Sequence, residues 1–328
     1  MSRVSEAQID SKRFQAYRDS HSSISSQPRL SVTIPVYEDP EGLSDTVNAL
    51  HKQQYSNVEI LAVIEPSSGA TVNTAEILAR EFDDFDFRTS VEYDTPAAAR
   101  NAGISEANGE ILVFVDANVI PEDDFLWKIS YVFSNTNVDY LGMPIEIGLS
   151  KSPSTLVGWY DRQIRYPVEY YIKGAKFTPT CALAIREEIC ESIRFESNLI
   201  AAEDVLFGKL AYKHDFHLTF CPDISVVHPE RSRISDILAV GEKTGRGFYQ
   251  TYHHLPVTLF STKPRTYTLN AYTPHSVSYL KMICPEWSSL TKTEKLLLIL
   301  LSYFEVLART LGYIKQGIDE RTSFGDQA

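Results

Sequence analysis

Hydrophobic and polar residues alternate along the first half of the chain in blocks that predict strands and helices in turn. Short apolar runs rich in β-branched residues predict strands at LSVTIPVY (30–37), VEILAVIE (58–65), FRTSVEY (87–93) and EILVFVDAN (110–118). Apolar residues at helical spacing predict intervening helices at 41–53, 71–82 and 95–107. Near-continuous apolar strands that alternate with helices indicate a mostly parallel sheet covered on both faces. The pattern therefore predicts an α/β fold.

The second half of the chain is more mixed, and the first residues differ from both halves. Its pattern predicts a strand at 138–148, a strand followed by a helix at 177–189, a helix at 202–214 and a last strand at 217–229. Residues before Leu30 are polar and end in a Ser-rich run, which predicts a flexible or weakly helical lead-in. We expect a lead-in at 1–29, one α/β domain at 30–230 and a helical extension at 231–328.

The last strongly apolar segment, KLLLILLSYFEVLARTLGYIK (295–315), predicts a long helix. Glu305 and Arg309 interrupt it, so its uniformly apolar run is shorter than a membrane span requires. At their i,i+4 spacing these two residues can pair on one helix face. Two alternatives remain open. The helix packs against the rest of the protein, or it lies on a bilayer as a peripheral membrane contact.

Composition narrows the class of protein. The 328 residues carry a formal net charge of −12, which disfavours nucleic-acid binding because that function needs a basic face. No apolar signal segment follows the first Met, so a cytoplasmic location is expected. The cysteines lack zinc-finger spacing and are expected to be reduced and mostly buried. They are Cys181, Cys190, Cys221 and Cys284.

Polar residues follow the predicted strands, where α/β sheets bind ligands at the carboxyl ends of their strands. They are Tyr37 to Asp39, Glu65 to Ser68, Asp94, and Asp116 to Asn118. Pro35 and Tyr37 form a wall that suits a nucleobase. Glu65 can accept hydrogen bonds from ribose hydroxyls or a base N–H. Both segments also have ordinary explanations, because any buried strand can end in Pro and Tyr, and Pro-Ser-Ser-Gly is common turn chemistry.

Residues 97–118 carry the strongest chemical pattern. Arg100 lies on the predicted helix and can supply a cation to a diphosphate. Asp116 ends the following strand, where a carboxylate can hold a divalent metal that bridges two phosphates. Such a metal would stabilise the charge that develops on a departing nucleoside diphosphate. The structural alternative is that Asp116 caps the next turn.

Two further candidates lie downstream. Glu203 and Asp204 are adjacent acids at a predicted helix start, where negative charge also simply complements the helix dipole. His228, in the segment VVHP, ends a strand at the same predicted sheet edge and is a candidate metal ligand.

Taken together, these segments resemble glycosyltransferase family 2, whose members share the GT-A fold. The resemblance covers about residues 30–230, and ARNAG (99–103) followed by GEILVFVDAN (109–118) is its most specific part. It rests on motifs in a fixed order: IPVY (34–37), Glu65, ARNAG, VDAN (115–118), AED (202–204) and VVH (226–228). It implies a GT-A, Rossmann-like domain that moves a hexose from a nucleoside diphosphate sugar to an acceptor hydroxyl, with inversion.

The resemblance also implies roles for individual residues. Asp204 matches the family's base, with Glu203 beside it. Asp116 and Asn118 match the DxD motif, so Mg²⁺ or Mn²⁺ is the expected cofactor, with His228 as a further ligand. The chain departs from the family because Asn118 replaces the second acid, and an uncharged amide lowers the expected metal affinity. It also has Glu65-Pro66 where an acidic pair is usual.

The acceptor side is less defined. The QxxRW element of processive synthases is absent, which predicts the addition of one sugar at a time. The apolar helix resembles those of relatives that act on a glycan or lipid-linked acceptor in surface glycan, glycolipid or glycoprotein assembly. The alternative is a non-catalytic GT-A-like binding or partner subunit marked by its altered DxD motif. A dinucleotide oxidoreductase is disfavoured, since no GxGxxG follows the first strand.

Overall fold

The computed structural model describes residues 3–21, 23, 26–65, 69–92, 95–148, 155–254 and 276–325. The chain divides into two compact units. The first comprises Met1–Glu146, Val168–Ser197 and Asp204–His228, and the second comprises Ile147–Pro167, Asn198–Glu203 and Pro229–Ala328. The second unit thus includes two segments that the sequence analysis assigned to the 30–230 domain.

An eight-stranded sheet forms the centre of the first unit. Its strands are β1 (Val4–Glu6), β2 (Leu30–Tyr37), β3 (Val58–Glu65), β4 (Phe85–Thr89), β5 (Ile111–Phe114), β7 (Tyr140–Gly142), β9 (Leu183–Arg186) and β10 (Leu218–Phe220). They lie in the order β1-β10-β7-β9-β5-β2-β3-β4. Only β9, among these eight strands, runs antiparallel to its neighbours β5 and β7. This confirms the mostly parallel sheet.

A second, three-stranded sheet has the order β6-β11-β8. Its strands are β6 (Ile120–Pro121), β8 (Ile145–Gly148) and β11 (Val226–Pro229). Strand β6 pairs antiparallel with β11, with Ile120 opposite Val227. Because β6 begins soon after β5 ends, this small sheet continues directly from the end of a central strand.

The helices of the first unit follow the strands closely. They are α1 (Ser11–Ser20), α2 (Pro40–His51), α3 (Gly69–Glu81), α4 (Pro96–Glu106), α5 (Phe125–Asn135), α7 (Val168–Tyr170), α8 (Ile189–Ser192) and α9 (Glu203–Lys213). Asp39 and Thr95 cap α2 and α4, and each helix has Pro as its first residue. A capping side chain followed by Pro satisfies the first backbone donors and fixes where the helix begins.

The chain order reverses at β2. From β2 the chain passes outward to β3 and β4, and then returns to place β5 on the other side of β2. Strand β5 pairs with β2 only as far as Thr33 opposite Phe114, so the two strands are no longer paired beyond that position. In open α/β sheets, the carboxyl ends of strands at such a reversal form the ligand-binding crevice.

Residues 3–21 of the expected lead-in form a strand and a helix. Strand β1 pairs with β10 at the edge of the main sheet, and α1 buries Phe14 and Tyr17. The hydroxyl of Tyr17 lies 2.6 Å from that of Ser130 on α5. Although this segment is polar in composition, Phe14 and Tyr17 are buried, and their packing holds α1 in place.

The second unit contains α6 (Leu156–Ile164), α10 (Ile234–His254), α11 (Val277–Ile283) and α12 (Lys292–Gly325). Glycines bring α10 and α12 close together. A Cβ on Gly245 would lie 1.9 Å from the carbonyl oxygen of Arg309, and one on Gly312 would lie 2.0 Å from that of Glu242. Larger side chains at either position would push the two backbones apart, so these glycines are required for the packing.

The predicted ion pair on α12 is present. Nη2 of Arg309 donates to Oε1 of Glu305 at 2.8 Å, and the hydroxyl of Tyr160 on α6 donates to Oε2 at 2.9 Å. Burial, followed by the charge of Glu305, raises the pKa of Tyr160, so its phenol stays protonated as a donor. The charged side chains of Glu305 and Arg309 therefore make these contacts within the second unit, and the opposite face of α12 carries neither of them.

That opposite face is apolar and exposed. Contrary to the expectation drawn from Glu305 and Arg309, one helix within the described residues, Lys292–Thr322, is long and apolar enough to cross a membrane, by length and composition alone. At about 100° per residue, its exposed apolar side chains fall within an arc of about 100°. We name them the α12 stripe: Leu296, Leu300, Tyr303, Phe304, Leu307, Leu311, Ile314 and Ile318.

Candidate active site

The site begins with the residues at the end of β2 and β3. Tyr37 lies directly opposite Glu65 in the parallel pairing, and Tyr37 is 66% exposed. Pro35 lies beyond the last rung shared with β5, where its missing N–H costs no ladder hydrogen bond on that side. The predicted nucleoside-binding residues thus share one edge of the sheet. Asp94, Ser67 and Ser68, which were also candidates, lie outside the described residues.

Asp116 lies two residues after β5 and is held by Arg100. Nη2 of Arg100 donates to Oδ1 of Asp116 at 2.9 Å. The Arg100 side chain is 4% exposed and that of Asp116 is 37% exposed. Phe195 lies under the guanidinium, with its ring centroid 5.8 Å away. Arg100 is thus a buried cation that orients a partly exposed carboxylate, a role that the sequence did not reveal.

Asn118 occupies the turn that follows. Its φ of 64° is in the left-handed region, which Asn tolerates better than most residues. Its Nδ2 donates to Oδ2 of Asp39 at 2.8 Å. Its Oδ1 is buried and has no hydrogen-bond partner among the described residues. A buried, unbonded carbonyl oxygen beside a carboxylate is a suitable ligand for a hard divalent cation.

His228 approaches the same turn along β11. The antiparallel register sets Val227 opposite Ile120, and His228 is the next residue along β11 after this pair. The described residues hold no group of three or more His, Cys, Asp and Glu that could bind a metal. The predicted metal ligands are Asp116, Asn118 and His228, which do not form such a group because Asn118 contributes an amide. The carboxylate and amide oxygens are donors that suit Mg²⁺ or Mn²⁺, whereas the imidazole is a softer donor that Mg²⁺ disfavours.

The two acids of α9 occupy its first two positions. Oδ1 of Asp204 accepts a hydrogen bond from the backbone N–H of Val205 at 2.7 Å. Burial raises the pKa of Tyr140, and the charge of Asp204 adds to that effect, so the carboxylate lies within electrostatic range of this phenol. Ala202 precedes the acids with φ 68°, a conformation that is strained for a residue with a Cβ.

Asp39 is the residue whose contacts the sequence did not foretell. It falls in the polar segment after β2, and its sequence signal is that of a helix cap, because Pro40 follows it directly. Its second contact, with Asn118, spans 79 residues of chain. No local pattern encodes such a pairing.

Comparisons with known proteins identify the family and relatives of the chain. Residues 28–243 match the family described as Glycosyltransferase like family 2. The chain is 29% identical over 231 residues to glycosyltransferase AglE of Haloferax volcanii, covering 70% of this chain and 75% of that protein. It is 21% identical over 197 residues to the GalNAc(5)-diNAcBac-PP-undecaprenol beta-1,3-glucosyltransferase of Campylobacter jejuni, covering 58% and 62%.

A solved structure shares the fold. The mannosyltransferase PcManGT of Pyrobaculum calidifontis, in complex with GDP-Man and Mn²⁺, superposes with a TM-score of 0.58. The match covers 92% of this chain and 94% of that one at 15% sequence identity. At that identity the likeness establishes the architecture.

Proposed function

The chain belongs to glycosyltransferase family 2, and from this premise we propose that it moves one sugar from a nucleoside diphosphate sugar to an acceptor hydroxyl with inversion. It is a glycosyltransferase with the GT-A fold, as the resemblance implied. What we propose beyond this is the mechanism of direct displacement, the use of a divalent metal and the kind of acceptor.

One observation carries the proposal for the donor. At the chain reversal of the sheet, the buried Arg100 holds Asp116 at the end of β5, and the buried Oδ1 of Asn118 is unbonded two residues later. With His228 beside this turn, these residues fit a divalent cation. When bound, the cation would balance charge on the leaving diphosphate. Pro35, Tyr37 and Glu65 would bind the nucleoside, for which the exposed Tyr37 offers an aromatic face.

For the acceptor, Asp204 is the proposed base and Glu203 its neighbour. A carboxylate at this position takes the proton of the acceptor hydroxyl while that oxygen attacks the anomeric carbon and the bond to the diphosphate breaks. Alignment of the two substrates supplies much of the rate. Because attack and departure occur in one step on opposite faces, the product has the inverted configuration.

The test of this function is a titration with nucleoside diphosphates. UDP, GDP and TDP are titrated into the protein by calorimetry, once with EDTA and once with Mn²⁺. We expect one of them to bind, and to bind more tightly with Mn²⁺, because Asp116 and Asn118 would hold a cation whose charge would attract the phosphates. Equal affinity in both conditions contradicts the metal-assisted mechanism, and no binding at all favours the alternative of a non-catalytic partner subunit.

The α12 stripe supports a peripheral membrane contact and hence a lipid-linked acceptor. An exposed apolar face of this length, on a helix whose other face is packed, suits the boundary between headgroups and acyl chains. The Campylobacter relative is named for a substrate linked to PP-undecaprenol, which is consistent with such an acceptor. The four cysteines are free and buried, which suits the reducing cytoplasmic face of the membrane.

A further inference from the structure

The turn that carries Asn118 is fixed by the first turns of α2. Oδ1 of Asp39 accepts from the backbone N–H of Gly42 at 2.9 Å, and its Oδ2 accepts from Asn118. A Cβ on Gly42 would lie 2.8 Å from the Cβ of Asn118, so this approach requires glycine. Oγ1 of Thr46 donates to the carbonyl of Val119 at 3.0 Å. The turn at Asn118 and Val119 is therefore fixed by several contacts with the start of α2, not by the contact with Asp39 alone.

The contact with Asp39 sets which way the amide of Asn118 faces. An ionised carboxylate only accepts hydrogen bonds, so the NH₂ group of the amide must point to Asp39 and the carbonyl oxygen must point away. That oxygen is the buried Oδ1 without a partner among the described residues. Leaving such an acceptor buried without a hydrogen bond is unfavourable, and a cation ligated by this oxygen would remove that cost.

We propose that Asp39 is a positioning residue that turns the amide of Asn118 into a cation ligand, and so compensates for the missing second acid of the motif. The proposal rests on the metal-assisted function given above. A hydrogen bond to a carboxylate draws electron density toward the amide oxygen, which improves it as a ligand. The charge of Asp39, one hydrogen bond from the amide, replaces part of the negative charge that an acid at residue 118 would supply.

The test separates this role from helix capping. Ser is as good an N-cap as Asp, so Asp39→Ser keeps the cap of α2 while it removes the carboxylate from Asn118. The matched control is Asp10→Ser, because Oδ1 of Asp10 caps α1 in the same way, accepting from Arg13 at 2.9 Å. Mn²⁺ binding is measured by the loss of the free-ion electron paramagnetic resonance signal, with the nucleoside diphosphate that the wild type binds.

We expect Asp39→Ser to weaken Mn²⁺ binding about 10- to 100-fold, as the loss of other groups that orient metal ligands does. Nucleotide affinity in EDTA and the melting temperature should stay close to those of the wild type, and Asp10→Ser should bind Mn²⁺ normally. Wild-type Mn²⁺ affinity in Asp39→Ser overturns the proposal alone. Failure of the wild type itself to bind Mn²⁺ with nucleotide overturns the metal-assisted function as well.

A swapped pair gives the complementary test. In Asp39→Asn combined with Asn118→Asp, one amide again faces one carboxylate, and residue 118 now supplies a charged ligand. We expect this double variant to bind Mn²⁺ at least as tightly as the wild type. Binding as weak as that of Asp39→Ser would overturn the proposal, since the orienting contact would then be restored without its effect.

Discussion

The acids that open α9 test the mechanism at the scale of one residue. Asp204→Asn keeps an oxygen that can accept from Val205, so the fold should be retained. If Asp204 takes the acceptor's proton, turnover should fall about 10²- to 10⁴-fold while donor affinity changes little. The measurement is kcat beside donor affinity by titration.

The matched control for this substitution is Glu203→Gln at the preceding position. It removes a charge from the same helix start, and thus has the same effect on the helix dipole. It should leave turnover within a few-fold of the wild type. Near-normal turnover in Asp204→Asn with a large loss in Glu203→Gln would transfer the role of base to Glu203.

Individual site residues differ in how far the sequence could predict them. Tyr37 and Glu65 end their strands and Asp116 follows β5, and parallel strands bring their carboxyl ends to one edge, so periodicity was enough to group them. The partner of Arg100 could not be predicted in this way, because a cation on a helix suits a ligand as well as a neighbouring carboxylate. The contact of Asp39 with Asn118 depends on how α2 meets a turn, which only the folded chain defines.

At the scale of elements, Glu59 fastens β3 to its surroundings at the far end of the sheet. It accepts from Ser31 on β2, from the backbone N–H of Asn108 at 2.6 Å, and from Arg29 at 2.7 Å. Burial opposes its ionisation, but these hydrogen bonds and the charge of Arg29 outweigh burial and hold the pKa of Glu59 below its ordinary value of 4.5. The folded state therefore favours the ionised form.

This predicts a specific dependence of stability on pH. The contribution of Glu59 is fully present above its unfolded pKa and is lost as pH falls through its lower folded pKa. Glu59→Gln should thus lower the free energy of unfolding by about 1–3 kcal/mol near pH 6, with a smaller difference near pH 3.5. Urea denaturation at both pH values measures this. Glu76→Gln, which breaks an exposed ion pair with Arg80, is the control and should change stability little. A constant difference for Glu59→Gln at both pH values would contradict the assignment.

Most central elements were predictable and their interruptions were not. Helices α2, α3 and α4 begin and end within two residues of the predicted bounds. The predicted strand at 138–148 is instead two strands, with Pro144 between them, and that at 217–229 is broken around Pro222. Proline lacks the N–H that a β-ladder needs, so each strand ends near it. The chain then forms a strand of the small sheet, and because the apolar residues continue, the hydrophobic pattern does not show the break.

At the scale of the whole molecule, the α12 stripe predicts binding to membranes. The full-length protein should sediment with vesicles of phosphatidylglycerol and phosphatidylcholine. Leu300→Gln combined with Leu311→Gln should lower the partition coefficient about tenfold or more, since each exposed Leu loses roughly 1 kcal/mol or more of apolar transfer. Removing the chain from Lys295 onward is a poorer test, because α10 would lose the glycine-mediated contact that packs it.

The control for the stripe is Ile77→Gln, an equally exposed apolar residue on α3. It should sediment as the wild type does. If the stripe variant also sediments normally, or if the wild type stays in solution, the stripe serves another purpose and the lipid-linked acceptor loses its main structural support.

The pairing of β1 with β10 has a consequence for how the protein is made. Ser5 and Thr219 face each other across this pairing and are separated by 214 positions in the chain. At about 5–20 residues per second of synthesis, the first strand leaves the ribosome roughly 10–40 s before its partner exists. Until then it is an open strand edge tethered to a nascent chain. A fusion or label attached before β1 would therefore be present while β1 is still unpaired, when its exposed edge can pair with other chains.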